Sequence, residues 1–324
     1  MSDPQEPHQG RAIRRSDVIF MYDNPERYAA YGCTVLGWAG HGDAQHVAQA
    51  HAAGVRLYAY AVGFRTEFSH MIDFSDDFLD AACRDLNGDP FIVPWLWDHE
   101  HKGQPAWWFC TNSSLYQAYL ESRLVQLAVS DPDGLHIDDY TGTAGTVTRQ
   151  IGCFCRHCMA GFSAYLAGHV PQARLDALGI RDLSTFDYRQ FLLDHGVTRD
   201  TYNEQRAALP LADEFYDFQV KASDAYVAQY HQRAQELCGK PLTLCVNSGL
   251  SRPEQLVIAP QLSYFCCEVG HGAASRSVPT HPIYVYKLGD ELGRPVASTA
   301  AGQDWAYVME HDLPGLVRTW IALS

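Results

Sequence analysis

Apolar residues along the chain fall into short runs, each bounded by Gly or Pro and separated by longer stretches with helical spacing. Seven runs read as strands: 18–22 (VIFMY), 34–38 (TVLGW), 56–62 (RLYAYAV), 135–138, 242–246 (LTLCV), 264–269 and 296–299 (VAST). Between them, Asn112 and Ser113 can cap a helix running to about residue 128, with Leu115, Leu120, Leu124 and Leu127 on one stripe. Residues 160–167, 212–237 and 314–323 carry further helical patterns. Strands alternating with helices imply parallel pairing through right-handed crossovers. The expected fold is α/β, a TIM (β/α)8-type barrel.

Seven runs leave such a barrel one strand short, and the chain stops inside a helical pattern. The expectation is that the chain is truncated just before an eighth strand. The competing placement makes 91–97 (FIVPWLW) that strand. Residues 1–16, polar and without an apolar core, read as a disordered leader and not as a secretory signal. Residues 17–324 read as a single catalytic domain, with insertions near 68–111 and 166–210 where functional loops grow on barrels.

Composition narrows the partners. The 324 residues carry 24 Lys+Arg against 38 Asp+Glu, a formal charge of −14, which disfavours nucleic acid and anionic membranes. A neutral sugar remains compatible, and so does a homo-oligomer. No apolar run is long enough to span a bilayer. Ten cysteines in a chain that needs no disulfide staples fit thiols or metal ligands in a cytoplasmic protein.

The run Asp133-Gly134-Leu135-His136-Ile137-Asp138-Asp139-Tyr140 ends a strand in adjacent carboxylates. Catalytic groups of parallel barrels sit at strand C-termini. Alternation puts His136 and Asp138 on one face and Leu135 and Ile137 on the other. Asp138 is expected in the barrel mouth, with Asp139 turned in by the loop; the alternative is that one Asp only caps the turn. Fourteen residues after Asp139, Cys153, Cys155 and Cys158 form a C-x-C-x2-C cluster, with Cys110 upstream. Four thiolates make a closed, structural zinc site with sulfurs roughly 3.5–4 Å apart. His157 is the alternative to Cys110, and unliganded thiols the alternative to the metal.

From Cys110 to Leu166 this arrangement resembles the β-galactosidases of glycoside hydrolase family 42 and related glycosidase-like barrels. In that pattern an Asn-Glu-Tyr triplet supplies the acid/base, and a distant Cys joins the cluster to bind zinc. Asp138-Asp139-Tyr140 stands where the triplet would stand, and Cys110 where the distant Cys would. The resemblance implies an O-glycosyl hydrolase on a barrel with a zinc cluster. The Asp-Asp pair, and the lack of a clear nucleophile segment on the seventh strand, leave galactosidase specificity aside.

Glycoside hydrolysis uses two carboxyls flanking the bond. Glu268, ending Tyr264-Phe265-Cys266-Cys267-Glu268, is the expected partner of Asp138 or Asp139; an ion pair with Arg276 is its alternative. Asp304 is the next candidate, as a catalytic group, a sugar ligand or a helix cap. Asp23, Trp38, Trp95, His136, Asn247, His271, Asp304 and Trp305, near strand ends or in the first insertion, are the expected substrate contacts. Tryptophan faces stack on sugar rings, although core packing is the commoner fate of a single Trp. No P-loop, dinucleotide fingerprint, H-E-x-x-H or G-x-S-x-G occurs, so no organic cofactor is expected. Two other readings remain: a metal-dependent hydrolase using His99, His101, His136, His157 or His271, and a carbohydrate-binding pseudo-enzyme.

Overall fold

The computed structural model describes residues 13–323 except 22, 41–42, 65–66, 141–142, 144–151, 249, 251 and 276–280. Seven parallel strands follow one another in chain order: β1 (Ile19–Phe20), β2 (Val35–Ala39), β3 (Leu57–Gly63), β4 (Gly134–Asp138), β5 (Thr243–Val246), β6 (Phe265–Val269) and β7 (Val296–Ala300). The first five form one sheet in sequence order, and β6 pairs with β7. A single parallel bridge, Asn247 to Cys266, joins β5 to β6. No ladder joins β7 to β1 among the described residues. Residues 91–97 are not an eighth parallel strand. Phe91 pairs with Cys83 and Trp108, and Val93 N–H donates to Ala106 C=O, in an antiparallel arrangement.

The chain folds as two compact units, 1–62 with 124–139 and 231–324, and 63–123 with 140–230. All but the last residue of β3 and all six other strands lie in the first. Its inner core draws one face of six strands together: Ile19, Val35, Leu57, Ala59, Cys245, Tyr264, Cys266 and Ala297. Ile13 joins them at 7% exposure, so the end of the expected leader is part of the core, while residues 1–12 lie outside the described residues. The other face, with Leu36, Ala39 and Tyr58, packs against Val47 and Ala50 of α1 (Ala44–Ala52).

Leu36 and Ala39 share that outer face although they are three residues apart. Strict alternation forbids this. The β2–β3 register shifts between them, which marks a bulge. One extra residue there re-aims the side chains that follow it. Trp38 thereby turns to stack on His136, with centroids 4.4 Å apart.

The second unit is helical and aromatic. In it α3 (Arg156–His169), which follows α2 (Ser114–Ser130) in the chain, places Phe162 against Tyr188 and against Phe215 and Phe218 of α4 (Ala212–Cys238), with Phe154 stacked on Phe215. Both expected insertions fall in this unit. The second of them forms short helices over Gln172–Ala177, Tyr188–Asp194 and Arg199–Gln205. No described helix is long and apolar enough to cross a membrane.

Gly134 opens β4 against β5. A Cβ there would lie 2.1 Å from Thr243 Oγ1 and 3.1 Å from the Thr243 carbonyl oxygen. Gly134→Ala is expected to destabilise by ~1–3 kcal/mol, the usual cost of forcing atoms into a packed site. Thr243→Ala removes one of the two clashing atoms, so the double variant should recover part of the loss. Denaturant melts of the two single variants and the double variant check this.

Candidate functional site

The C-terminal ends of the strands in the first unit carry most of the expected site residues. On β4, Leu135 and Ile137 are fully buried on one face, while His136 and Asp138 share the other. Asp138 is 9% exposed, and its Oδ1 accepts a hydrogen bond of 3.1 Å from the Asn247 amide, just past β5. The register His136 to Cys245 and Ile137 to Val246 puts those two groups side by side. Glu268 lies on β6 on the same face as Cys266 and is exposed. The Cys266 thiol is pushed well up, first by burial and then by neighbouring negative groups that include Asp138 and Glu268. Asp138 is the last residue of β4 and Glu268 the last but one of β6, so both lie towards the C-terminal end of their parallel strands. Strands two apart are separated by roughly 10 Å at the usual spacing, a span that converging side chains shorten. Arg276, the alternative partner of Glu268, lies outside the described residues.

Asp139 leaves β4 with φ 52°, in the left-handed region, so its side chain does not continue the strand's alternation. A non-glycine residue held there carries local strain, a feature that clusters at functional sites.

His136 is 0% exposed and sits beneath Trp38. Burial alone lowers its pKa to about 3, so the imidazole is neutral at ordinary pH. Its Nδ1 lies 3.2 Å from Cys245 Sγ, and that thiol donates to the Gly37 carbonyl. Burial pushes the Cys245 thiol up to about 12 and keeps it protonated.

Asp304 has both carboxylate oxygens engaged by backbone N–H groups. It is 3% exposed, and its two carboxylate oxygens accept the backbone N–H groups of His271 (2.7 Å) and Ala273 (2.6 Å). It fastens the loop after β6 to α5 (Gly302–His311). His271, also buried, has Nδ1 on the Val269 carbonyl and its ring against Trp320. Trp305 is 39% exposed and donates to Thr299 Oγ1. Asp23, after β1, is occupied by the Tyr28 and Tyr58 hydroxyls and His46.

In the second unit Trp95 is 38% exposed and meets buried Trp108 edge to face. His99 and His101 pair with Asp98 and Asp73. The expected thiols do converge. The sulfurs of Cys110, Cys153, Cys155 and Cys158 all lie within 4.8 Å of one another, and all four residues are buried. Among the described residues this is the one group of three or more metal-ligating side chains that come together. His157 is not part of it. None of the ten cysteines is in a disulfide. Cys155 caps the N-terminus of α3 and Cys158 lies in its first turn, where the helix dipole favours thiolates. The Asn112 amide donates to Cys158 Sγ, and the Thr143 hydroxyl touches Cys110 Sγ. An all-sulfur set with such donors around it fits a soft or borderline cation and can bind a metal. Hydrogen bonds from Cys153, Cys155 and Cys158 pull the Cys110 thiol well below the usual range. Cys83 is fully buried beside this group, and its thiol is pushed well up, first by burial and then by Cys110 and Cys153. It had no spacing signal to reveal it, and only the antiparallel pairing at 82–84 brings it in.

No family model matches the chain. Two curated relatives match in sequence, both named alpha-agarase. One, from Thalassotalea agarivorans, is 24% identical over 233 residues; the other, from Alteromonas agarilytica, is 27% identical over 231. Each alignment covers 68% of this chain and 16% of the relative, so the chain spans about a sixth of their length. Among solved structures, a β-galactosidase from Rahnella sp. R3 superposes with a TM-score of 0.58 at 14% identity, over 85% of this chain and 41% of that one. The likeness in fold is thus to a β-galactosidase, and the likeness in sequence is to agarases.

The buried imidazole gives a pH test. The unfolded chain binds a proton at His136 below about 6.5, whereas the folded chain does so only near 3. Between those values the unfolded state holds more protons, so stability falls as pH is lowered, by up to about 1.4 kcal/mol per pH unit from this group. His136→Gln should flatten the loss between pH 6.5 and 4.5, measured as denaturant midpoints for both proteins.

Proposed function

We propose that the chain is a glycoside hydrolase domain of (β/α)8-barrel type, with its active centre where β4, β5 and β6 end. The observation that carries this is Asp138, nearly buried, oriented by Asn247 and placed at the same rim as Glu268. Two carboxyls at one rim of a parallel sheet are what cleavage of a glycosidic bond requires. The amide N–H from Asn247 fixes the orientation of the Asp138 carboxyl. Asp138 then serves as nucleophile or base, and Glu268 protonates the leaving oxygen. A separation of about 5–5.5 Å between the carboxyls in the working enzyme corresponds to retention, and about 6.5–9.5 Å to inversion. Trp38 and Trp305, both partly exposed, offer flat faces to a sugar ring. The names of the sequence relatives make an agar-type polysaccharide the first substrate to test.

Asp138→Asn and Glu268→Gln keep shape and remove proton chemistry. Each is expected to lower turnover of agar-derived oligosaccharides by about 10²–10⁴-fold or more, with melting temperatures near wild type. Reducing-end assays over a glycoside panel, paired with thermal melts, check this. Wild-type rates in both variants contradict the assignment.

The four cysteines in this reading hold one structural zinc, fixing the start of α3 to the segment around Cys110. Tetrahedral Zn–S bonds of about 2.3 Å fit sulfurs this close. Elemental analysis should find about one zinc per chain. Cys158→Ser should lower both the metal content and the melting temperature.

A further inference from the structure

Asp23 was expected to meet substrate, yet its oxygens are already taken. Oδ1 accepts from the Tyr28 hydroxyl, while Oδ2 accepts from His46 Nε2 at 2.6 Å and the Tyr58 hydroxyl at 3.0 Å. The Asp23 side chain is 15% exposed and the His46 side chain 31%. His46 is held twice. Its backbone N–H donates to Asp43 Oδ1, the cap of α1, at 2.8 Å, and its ring donates to Asp23. Tyr58 presents its ring to the imidazole edge-on, with centroids 6.1 Å apart.

The chemistry follows from the acceptor. A carboxylate accepts only, so in the neutral ring the proton sits on Nε2 and Nδ1 is left as a lone-pair acceptor. Nδ1 has no protein partner among the described residues and is not shut away from solvent. Asp23 follows β1, and α1 follows β2. In a parallel sheet those positions belong to the rim where Asp138 ends β4.

We propose that His46 is a saccharide-binding residue, its Nδ1 accepting a hydrogen bond from a sugar hydroxyl, and that Asp23 is the positioning residue that fixes its tautomer. The inference rests on the glycosidase reading for its ligand class, a neutral polyhydroxylated sugar. It does not depend on which carboxyl does the chemistry.

Imidazole nitrogen NMR on the full chain tests the tautomer directly. Nε2 should be protonated in wild type, and Asp23→Asn should shift the population towards Nδ1–H. In the Asp138→Asn background, saturating agar-derived tetrasaccharide should move the His46 Nδ1 resonance. In otherwise wild-type protein, His46→Phe and Asp23→Asn should raise KM up to about 10-fold with kcat little changed, the scale of one lost hydrogen bond. Melting curves of both variants show whether each is folded, and a merely structural role for His46 would leave its Nδ1 resonance unmoved by the saccharide. Cleavage with unchanged KM in His46→Phe overturns the inference and leaves the glycosidase reading standing. Saccharide binding through Nδ1 with no cleavage by wild type does the reverse. A protein that neither binds nor cleaves the saccharide removes both.

Discussion

The parallel register between β4 and β5 is the constraint on which the first unit's site depends. His136 opposite Cys245 and Ile137 opposite Val246 fix which side chains of β4 turn inward. A slip of one residue would exchange the faces, sending Asp138 outward and Leu135 and Ile137 into the mouth. Gly134 and Thr243 lock that register from below, because the two strands approach too closely there for any side chain on residue 134. Asn247 locks it from above through its hydrogen bond to Asp138. The fixed geometry of the Asp138 carboxyl is therefore a property of strand pairing more than of the loop that follows.

The second unit solves a different problem. Four buried thiols would be a poor core by themselves, since sulfur atoms this close repel once ionised and pack no better than methyl groups when neutral. The arrangement makes sense when a cation gathers them and nearby donors, Asn112 and Thr143, soften the remaining charge. The helix start at Cys155 and Cys158 adds its dipole. Around this centre Phe154 and Phe162 anchor an aromatic core, so the cysteine-bearing segment and the apolar segment are the same stretch of chain.

Much of this was legible in the sequence, for physical reasons. Most of the seven strand runs are predominantly apolar segments near turn residues, and the ends of each lie within about two residues of an observed strand end. The thiol cluster was legible because C-x-C-x2-C places three sulfurs close on any backbone. What was not legible depends on distant partners. The β2 bulge that turns Trp38 onto His136 leaves no mark in composition. The two backbone donors to Asp304, 33 and 31 residues away, likewise leave no mark in the sequence near it. His46 escaped notice because it sits mid-pattern in a short helix, and only the fold sets it against Asp23. Residues 166–210 read as insertion because their helices are short and weakly periodic, and Tyr188 in one of them is held by Phe162 and Phe215 from elsewhere in the chain.

The central claim is that the rim around Asp138 and Glu268 breaks a glycosidic bond with water. Cleavage of agar-derived oligosaccharides in heavy-oxygen water, with immediate borohydride reduction and mass analysis of the fragments, tests it most directly. The account predicts one heavy oxygen at each newly formed reducing end, and no such fragments from Asp138→Asn. Fragments lacking the heavy oxygen, or labelled fragments formed equally by Asp138→Asn, would contradict it.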